Sequence, residues 1–540
     1  MARRPLLRRA RDDWPVCTVI ALLWALLAVV AVEALRVTQG HLVYALDDPY
    51  IHMAMAKNLA RHGVWGVTPF GFTSSSSSLL WTAAVAAIFR IGGVLDAVPF
   101  AMNLILAPAT LVVVDRVLSR LGVPASWRLL ILGAVAVVTP LPALVFAGQE
   151  HIAHILATVV FVDLSVRLVA TDVEPSARPR LRRVAALAAL LPLIRYEGLY
   201  AGLIAGALFL VARRWRAGLI VWAAAVAPVV MYGLVSVSQG WLIAPNSVLI
   251  KATLPGSASV WGILYLLGAG YRALVRIPAL ACLLAATALL FAARWRSGLL
   301  ERHQLWLALF LSMTLIHLPF SQPRSFWLFR YEAYLMALGV IAVGATTEHL
   351  LRPAALRRPA LRSLAVAALI LLAAASPLRT RALRAVRILP AATRNIYEQQ
   401  YQMARFLKRF YEGQVVAMND IGAATYMADF KCLDLVGLAD INVARKKLAG
   451  YYLSDDIEDI ARQRGARIAI VYDYQLERLG GVPGSWRRAG SWTIRRSVVV
   501  GNPTVAFYAV DPAELPALVA NLRAFGPELP RGVRVSIVGG

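Results

Sequence analysis

Residues 16–35 form an apolar stretch, and no other feature limits the possible folds of this chain so strongly. About 20 residues at about 1.5 Å each match a hydrocarbon core about 30 Å thick. Arg3, Arg4, Arg8, Arg9 and Arg11 precede the run. The positive-inside rule then puts the N-terminus in the cytoplasm. The run is long for a signal peptide, and no small-x-small cleavage site follows it. Further apolar runs recur at residues 79–95, 97–118, 129–147, 151–170, 184–194, 198–212, 217–237, 274–293, 304–320, 328–349 and 363–378. The pattern predicts an α-helical polytopic membrane protein with about eleven membrane-embedded segments.

Composition agrees. The chain is 59% hydrophobic and 16% charged, more apolar surface than a water-facing exterior accommodates. The 56 Lys+Arg against 30 Asp+Glu give a net charge of +26. These cations lie in short clusters between apolar runs. That arrangement suits topology-setting loops and anionic lipid headgroups rather than nucleic acid. Cys17 and Cys282 fall inside apolar runs and Cys432 stands alone, so neither a disulfide framework nor a metal cluster is expected.

Basic clusters at Arg178/Arg180/Arg182/Arg183, Arg213/Arg214/Arg216, Arg294/Arg296 and Arg352/Arg357/Arg358/Arg362 mark cytoplasmic turns. Following them leaves residues 36–78 as a long external loop and residues 379–540 outside. The run 184–212 starts and ends in basic clusters yet is too short for two full spans; two short helices meeting at Arg195-Tyr196-Glu197 fit. Simple alternation over 79–128 puts Arg116, Arg120 and Arg128 outside, against the charge rule, unless one run there fails to cross. The tail reads differently, with strand-like pieces at 414–418, 467–472 and 505–510 between polar helices and Gly/Pro turns. It is expected to be a small soluble α/β domain (379–540) behind a transmembrane module (1–378).

The chemistry concentrates at Leu46-Asp47-Asp48-Pro49-Tyr50-Ile51-His52, just past the first span. Adjacent carboxylates beside a membrane face are costly to keep. The alternative is a solvated loop. Residues 50–62 place Ile51, Met55 and Leu59 on one stripe with Lys57 and Arg61 elsewhere, which predicts an amphipathic helix lying in the interface. The serines at 74–78 read as a flexible linker or the loose rim of a groove.

The acid-acid-x-Tyr-Ile pattern, the short helix after it and Ser78-Leu79-Leu80-Trp81-Thr82 opening the next run resemble the GT-C class of membrane glycosyltransferases, and within it the mycobacterial terminal arabinofuranosyltransferase group. Gly148-Gln149-Glu150 is similar to that group's Gly-Met-Glu, with Gln149 in place of Met and His151 where Thr is common. Arg195-Tyr196-Glu197-Gly198 resembles Arg-Pro-acid-Gly. Pro245-Asn246-Ser247 with Lys251 resembles Pro-Asn-Thr-x-x-x-Lys, and Arg330-Tyr331 a late Arg-Tyr. In the tail, Asp420-Ile421-Gly422 with Tyr426, then Asp434-Leu435-Val436-Gly437-Leu438 with Asp440, resembles Asp-x-Gly…Tyr…Asp-Leu-x-Gly-Leu-x-Asp.

The resemblance implies a GT-C-like fold and an inverting enzyme of the bacterial inner membrane. It would take a sugar, such as a pentofuranose, from a polyprenyl-phosphate donor to a hydroxyl of a cell-envelope glycan, lipid or protein. Asp47 is then the candidate base, with Asp48 as substitute or sugar-orienting group. An Asp in a partly desolvated loop has a raised pKa, which suits a base. Arg330, Lys251 and Arg195 are candidates for the donor phosphate. Glu150, Glu197, Tyr50, His52, Asn246, Tyr331 and Asp420 are candidates for sugar or acceptor hydroxyls. Other readings stand beside these: headgroup snorkelling for Arg330, and a structural ion pair for Arg195 with Glu197. His151 and His154 read as packing. No cofactor, metal or nucleic acid is expected. A transporter or flippase of a lipid-linked substrate is the rival, but its internal repeats are not evident.

Overall fold

The structure, a computed structural model, describes residues 12–170, 177–251, 260–294, 301–320, 327–351 and 376–539. The expected span 363–378 lies mostly outside the described residues, as do the Arg3–Arg11 cluster, Arg296 and the cluster from Arg352 to Arg362. The chain folds as two compact units.

The first unit comprises Met1–Ala31, Phe100–Val230 and Ala252–Arg387. It holds most of the long apolar helices. Among the described residues, seven helices are long and apolar enough to cross a membrane: Trp14–Val37, Val98–Arg120, Ala125–Ala147, His151–Ala170, Trp215–Ser238, Arg302–Phe320 and Ala333–Leu351. An eighth follows if Val260–Arg276 and Pro278–Ala293, bent by 104°, count as one span. The expected number of about eleven membrane-embedded segments is not confirmed among the described residues. The reason is length: Leu79–Gly92 and Gly198–Val211 have 14 residues each, about 21 Å at 1.5 Å per residue. The expected run 274–293 takes in only the last residues of Val260–Arg276.

Helix Ala333–Leu351 is buried along nearly its whole length and packs against Pro278–Ala293, Arg302–Phe320, Ala125–Val138 and His151–Ala170. Small residues make this closeness possible, as in other membrane helix interfaces. A Cβ at Gly339 would lie 2.8 Å from Phe310, and one at Gly206 would lie 2.2 Å from Trp222. Helices Ala177–Ile194 and Gly198–Val211 meet at residues 195–197. Arg128 pairs with Asp115 at 2.9 Å and donates to the Asp12 carbonyl, so it lies by the start of the first helix. Helix Leu79–Gly92, at 14 residues, is shorter than the candidate spans, in keeping with a run over 79–128 that fails to cross.

The second unit comprises Val32–Pro99, Met231–Lys251 and Ile388–Gly540. Its sheet has six strands: β1 (Val415–Met418), β2 (Lys431–Asp434), β3 (Ile468–Val471), β4 (Arg487–Ile494), β5 (Thr504–Ala509) and β6 (Val533–Ile537), in the order β2-β1-β3-β5-β4-β6. β1 pairs parallel with β2 and β3; the other pairings are antiparallel. The all-apolar β3 is buried at every residue, as a covered parallel strand should be. β2, β4 and β6 were not expected, since their sequences KCLD, RRAGSWTI and VRVSI mix polar residues into short strands. Phe406, Trp492, Phe507 and Phe525 form the aromatic centre of the core, with Trp492 and Phe525 stacked 5.7 Å apart.

Two expectations fail here. Helix Asp48–His62 does not present a wet face: Pro49 to Asn58 are all buried, and Ile51 and Met55 join the core of the sheet domain. Packing against helices Leu79–Gly92 and Gly422–Met427 covers it on several sides, and even Lys57 is buried, paired with Asp429. The serine tract is likewise no loose rim. Ser74, Ser75, Ser76 and Ser78 are buried, with Ser76 bonded to Thr82 and Ser74 to Tyr232 and Ser236.

Candidate functional site

In the second unit the site grows from the carboxyl ends of the parallel strands, where open α/β sheets usually bind ligands. β1 ends at Met418, and the chain turns through Asn419 and Asp420 into helix Gly422–Met427. Asp47 immediately precedes helix Asp48–His62, whose first turn Pro49 favours, and its side chain makes no capping bond to that helix. Its carboxylate reaches the turn after β1: Gly422 N–H donates to Oδ2 at 2.7 Å and Ala423 N–H to Oδ1 at 2.8 Å. Burial raises Asp47 to about pKa 7, and the Asp420 carboxylate adds to the rise, while the two N–H groups pull it down.

Asp48 lies beside Asp47 with its Oδ1 3.4 Å from the Lys251 ammonium. Both are half-buried. Asp420 accepts from the Tyr472 hydroxyl at 2.6 Å and from Gln400 Nε2 at 2.8 Å. Burial also raises Asp420; Tyr472, Gln400 and Lys251 oppose the rise and Asp48 adds to it. Three carboxylates thus share one field with a single ammonium. A carboxylate held protonatable near neutral pH can accept a proton from a hydroxyl.

The other candidates in this unit have packing partners. Tyr50 is buried, accepts from Tyr44 N–H at 3.1 Å and meets the rings of Tyr44 and Tyr426. His52 Nδ1 lies 2.9 Å from Thr82 Oγ1 and 3.3 Å from Ser76 Oγ. Asn246 donates to the Gly437 carbonyl at 2.9 Å. Asp434, also raised by burial, to about 6, accepts from Val436 and Ala439 N–H, and Asp440 caps helix Ile441–Ala449. Those motif acids shape turns. Gln400 and Tyr472 were missed. Tyr472 ends the strand-like run RIAIVY, which was its one signal; Gln400 had none.

The first unit holds a buried polar cluster of its own residues. The break at 195–197 puts Arg195 between Glu150 and Glu197, bonded to Glu150 and 2.7 Å from Glu197. His151 Nε2 lies 3.3 Å from the same guanidinium, and the Tyr331 ring 5.5 Å from it. Arg195 is thus doubly paired, and the trio carries net charge −1. Arg330 follows two residues in the left-handed region, Leu328 (φ 61°) and Phe329 (φ 55°). Such strain persists only where surroundings enforce it. Here Arg381 anchors the turn, bonding the Phe329 carbonyl at 2.9 Å and the Glu332 carboxylate. Arg330 is only 2% exposed, sits over the Tyr331 ring at 4.9 Å and donates to its hydroxyl at 3.1 Å. It does not snorkel from a lipid-facing surface. Among the described residues, no group of three or more His, Cys, Asp or Glu is arranged to hold a metal ion.

Across nearly its whole length the chain is similar to ArnT from Cupriavidus metallidurans bound to undecaprenyl phosphate, with 12% identity, a TM-score of 0.51, and coverage of 91% of this chain and 98% of that one. The fold is that of the GT-C membrane glycosyltransferases. The apo state of the same ArnT (13% identity, 91% and 98% covered) and the apo Archaeoglobus fulgidus oligosaccharyltransferase (12%, 88% and 73% covered) align with TM-scores of 0.48. A family profile described as a domain of unknown function, DUF8728, matches residues 394–508, in the sheet domain. No curated protein matches the chain in sequence.

Proposed function

We propose that this chain is an inverting membrane glycosyltransferase that moves a sugar from a polyprenyl-phosphate donor to a hydroxyl of a cell-envelope glycan, lipid or protein. The carrying observation is the GT-C fold over nine-tenths of the chain, shared with a protein that binds undecaprenyl phosphate. The acid pair at the carboxyl ends of the parallel strands supports the same reading. In the step envisaged, Asp47 takes the proton of the acceptor hydroxyl, with Asp48 orienting the sugar. The acceptor oxygen bonds to the anomeric carbon as the carbon–phosphate-oxygen bond breaks, and the electron pair leaves with polyprenyl phosphate. Lys251, beside Asp48, receives that charge. Arg195, already shared by two carboxylates, suits holding Glu150 and Glu197 for hydroxyl contacts better than binding phosphate. The resemblance favours a pentofuranose such as arabinofuranose. The protein would lie in the bacterial inner membrane, with the sheet domain outside the cytoplasm.

Incubation with radiolabelled polyprenyl-phosphate arabinofuranose and an envelope glycan extract tests this. Wild type is expected to release polyprenyl phosphate and label the acceptor, and Asp47→Asn to do neither while remaining folded. Donor returned intact on the other side of a vesicle, with no transfer, would mean a flippase. Full turnover by Asp47→Asn would remove the base.

A further inference from the structure

Asp47 is held more firmly than a loop docked on a domain requires. Each carboxylate oxygen accepts one backbone N–H from the turn after β1. Position 422 has no room for a side chain: a Cβ there would lie 2.2 Å from the Asp47 carbonyl and 2.7 Å from its Oδ2. The far end of helix Gly422–Met427 is held by the helix that begins just after Asp47. Lys57 donates to the Tyr426 carbonyl at 2.8 Å and pairs with Asp429 at 2.9 Å, and the Tyr426 hydroxyl donates to Asp96 at 2.6 Å. Fixed at both ends, Gly422–Met427 offers two N–H groups that cannot drift.

We propose that Gly422 and Ala423 are positioning residues, whose backbone N–H groups lock the plane of the Asp47 carboxylate and leave one lone-pair side of each oxygen for the arriving proton. Two parallel donors fix a carboxylate in rotation and tilt, as a bidentate partner does. Each oxygen keeps a second acceptor site. Both N–H groups also favour the ionised form, so they tune the base as well as aim it. The inference rests on Asp47 being the base of the proposed reaction.

The test compares two variants of the full-length protein in nanodiscs. Proline is tolerated in the first turn of a helix, so Ala423→Pro deletes one donor while keeping the segment. It is expected to lower kcat about tenfold, the factor one charged hydrogen bond commands, with the donor KM unchanged and the acid limb of the pH–rate profile about one unit higher. Lys57→Met loosens the far end of the helix. It is expected to lower the melting temperature and leave the limb in place. Should Ala423→Pro fail to fold, Gly422→Ala displaces the same carboxylate and is expected to lower kcat at constant KM. Wild-type kcat and profile in the folded variant, or an equal limb shift from Lys57→Met, would reduce the contact to docking and overturn the proposal. Asp47→Asn separates the two levels: activity there overturns the base itself, whereas an inactive Asp47→Asn with an unshifted Ala423→Pro overturns the positioning role alone.

Discussion

Replacing Asp47 by Asn should make the protein more stable at alkaline pH while abolishing transfer. In the folded chain Asp47 titrates at about 7, against about 3.9 when unfolded. Between those values the folded state holds a proton that the unfolded state has released. Stability therefore falls as pH rises, by about 1.4 kcal/mol per unit. The full cost is about 4 kcal/mol above pH 7, of which roughly a third is already incurred at pH 5. Asn carries no charge and escapes this cost. Its amide oxygen keeps one of the two N–H donors of Gly422 and Ala423, and the other faces an NH2 group, a loss of about 1–2 kcal/mol. The balance puts Asp47→Asn within about 1 kcal/mol of wild type at pH 5 and about 2–3 kcal/mol above it at pH 8. At about 2 °C per kcal/mol, that is roughly 5 °C in Tm at pH 8. Thermal unfolding of both proteins in detergent at pH 5, 6, 7 and 8 reads the difference directly, and shared background titrations cancel in it. A difference that stays flat from pH 5 to 8, or grows toward acid, would refute the buried, raised carboxylate.

Arg195→Leu leaves Glu150 and Glu197 without their common partner in a buried site, so it should cost about 3–5 kcal/mol and appear as lost monodispersity in size-exclusion chromatography. Adding Glu150→Leu and Glu197→Leu to it should restore much of that stability but no activity. Turnover in EDTA should equal turnover in its absence, checked by release of polyprenyl phosphate; inhibition reversed by magnesium would make the reaction metal-dependent.

The parts of the fold written in one-dimensional hydropathy could be read in advance. Apolar runs and basic clusters located the long helices, and the charge marks around 184–212 located the break at Arg195–Glu197. What escaped depends on neighbours distant in sequence. Helix Asp48–His62 has an amphipathic pattern in isolation, but partners more than 300 residues away bury its polar side, with Lys57 reaching Tyr426 and Asp429. The serine tract has a linker's composition, yet its hydroxyls pair with Tyr232 and Ser236. Strand β4 carries two arginines, a glycine and a serine, so only pairing with β5 and β6 makes it a strand. Asp47 and Asp420 each stood out as acids in a motif. That they share one electrostatic field follows from the turn after β1, and no spacing rule reaches across that separation.

The geometry also explains why two acids, rather than one, stand after the first span. A lone carboxylate clasped by two backbone amides would be strongly acidic, because both donors favour its charged form. It would make a poor base. Burial alone would push it the other way and, unopposed, leave it protonated at working pH. Asp47 receives both influences, and its like-charged neighbours Asp420 and Asp48 add to the upward push. The result lies near neutrality, where a general base combines the right ionisation state with a useful proton affinity. Asp48, meanwhile, has Lys251 beside it, and that ammonium balances part of the local negative charge. On this view Asp48→Asn should not mimic Asp47→Asn. It should lower the pKa of Asp47 and move the acid limb of the rate profile downward while retaining transfer. An Asp48→Asn protein as inactive as Asp47→Asn, with no measurable limb at all, would transfer the base to Asp48 and reverse the two roles.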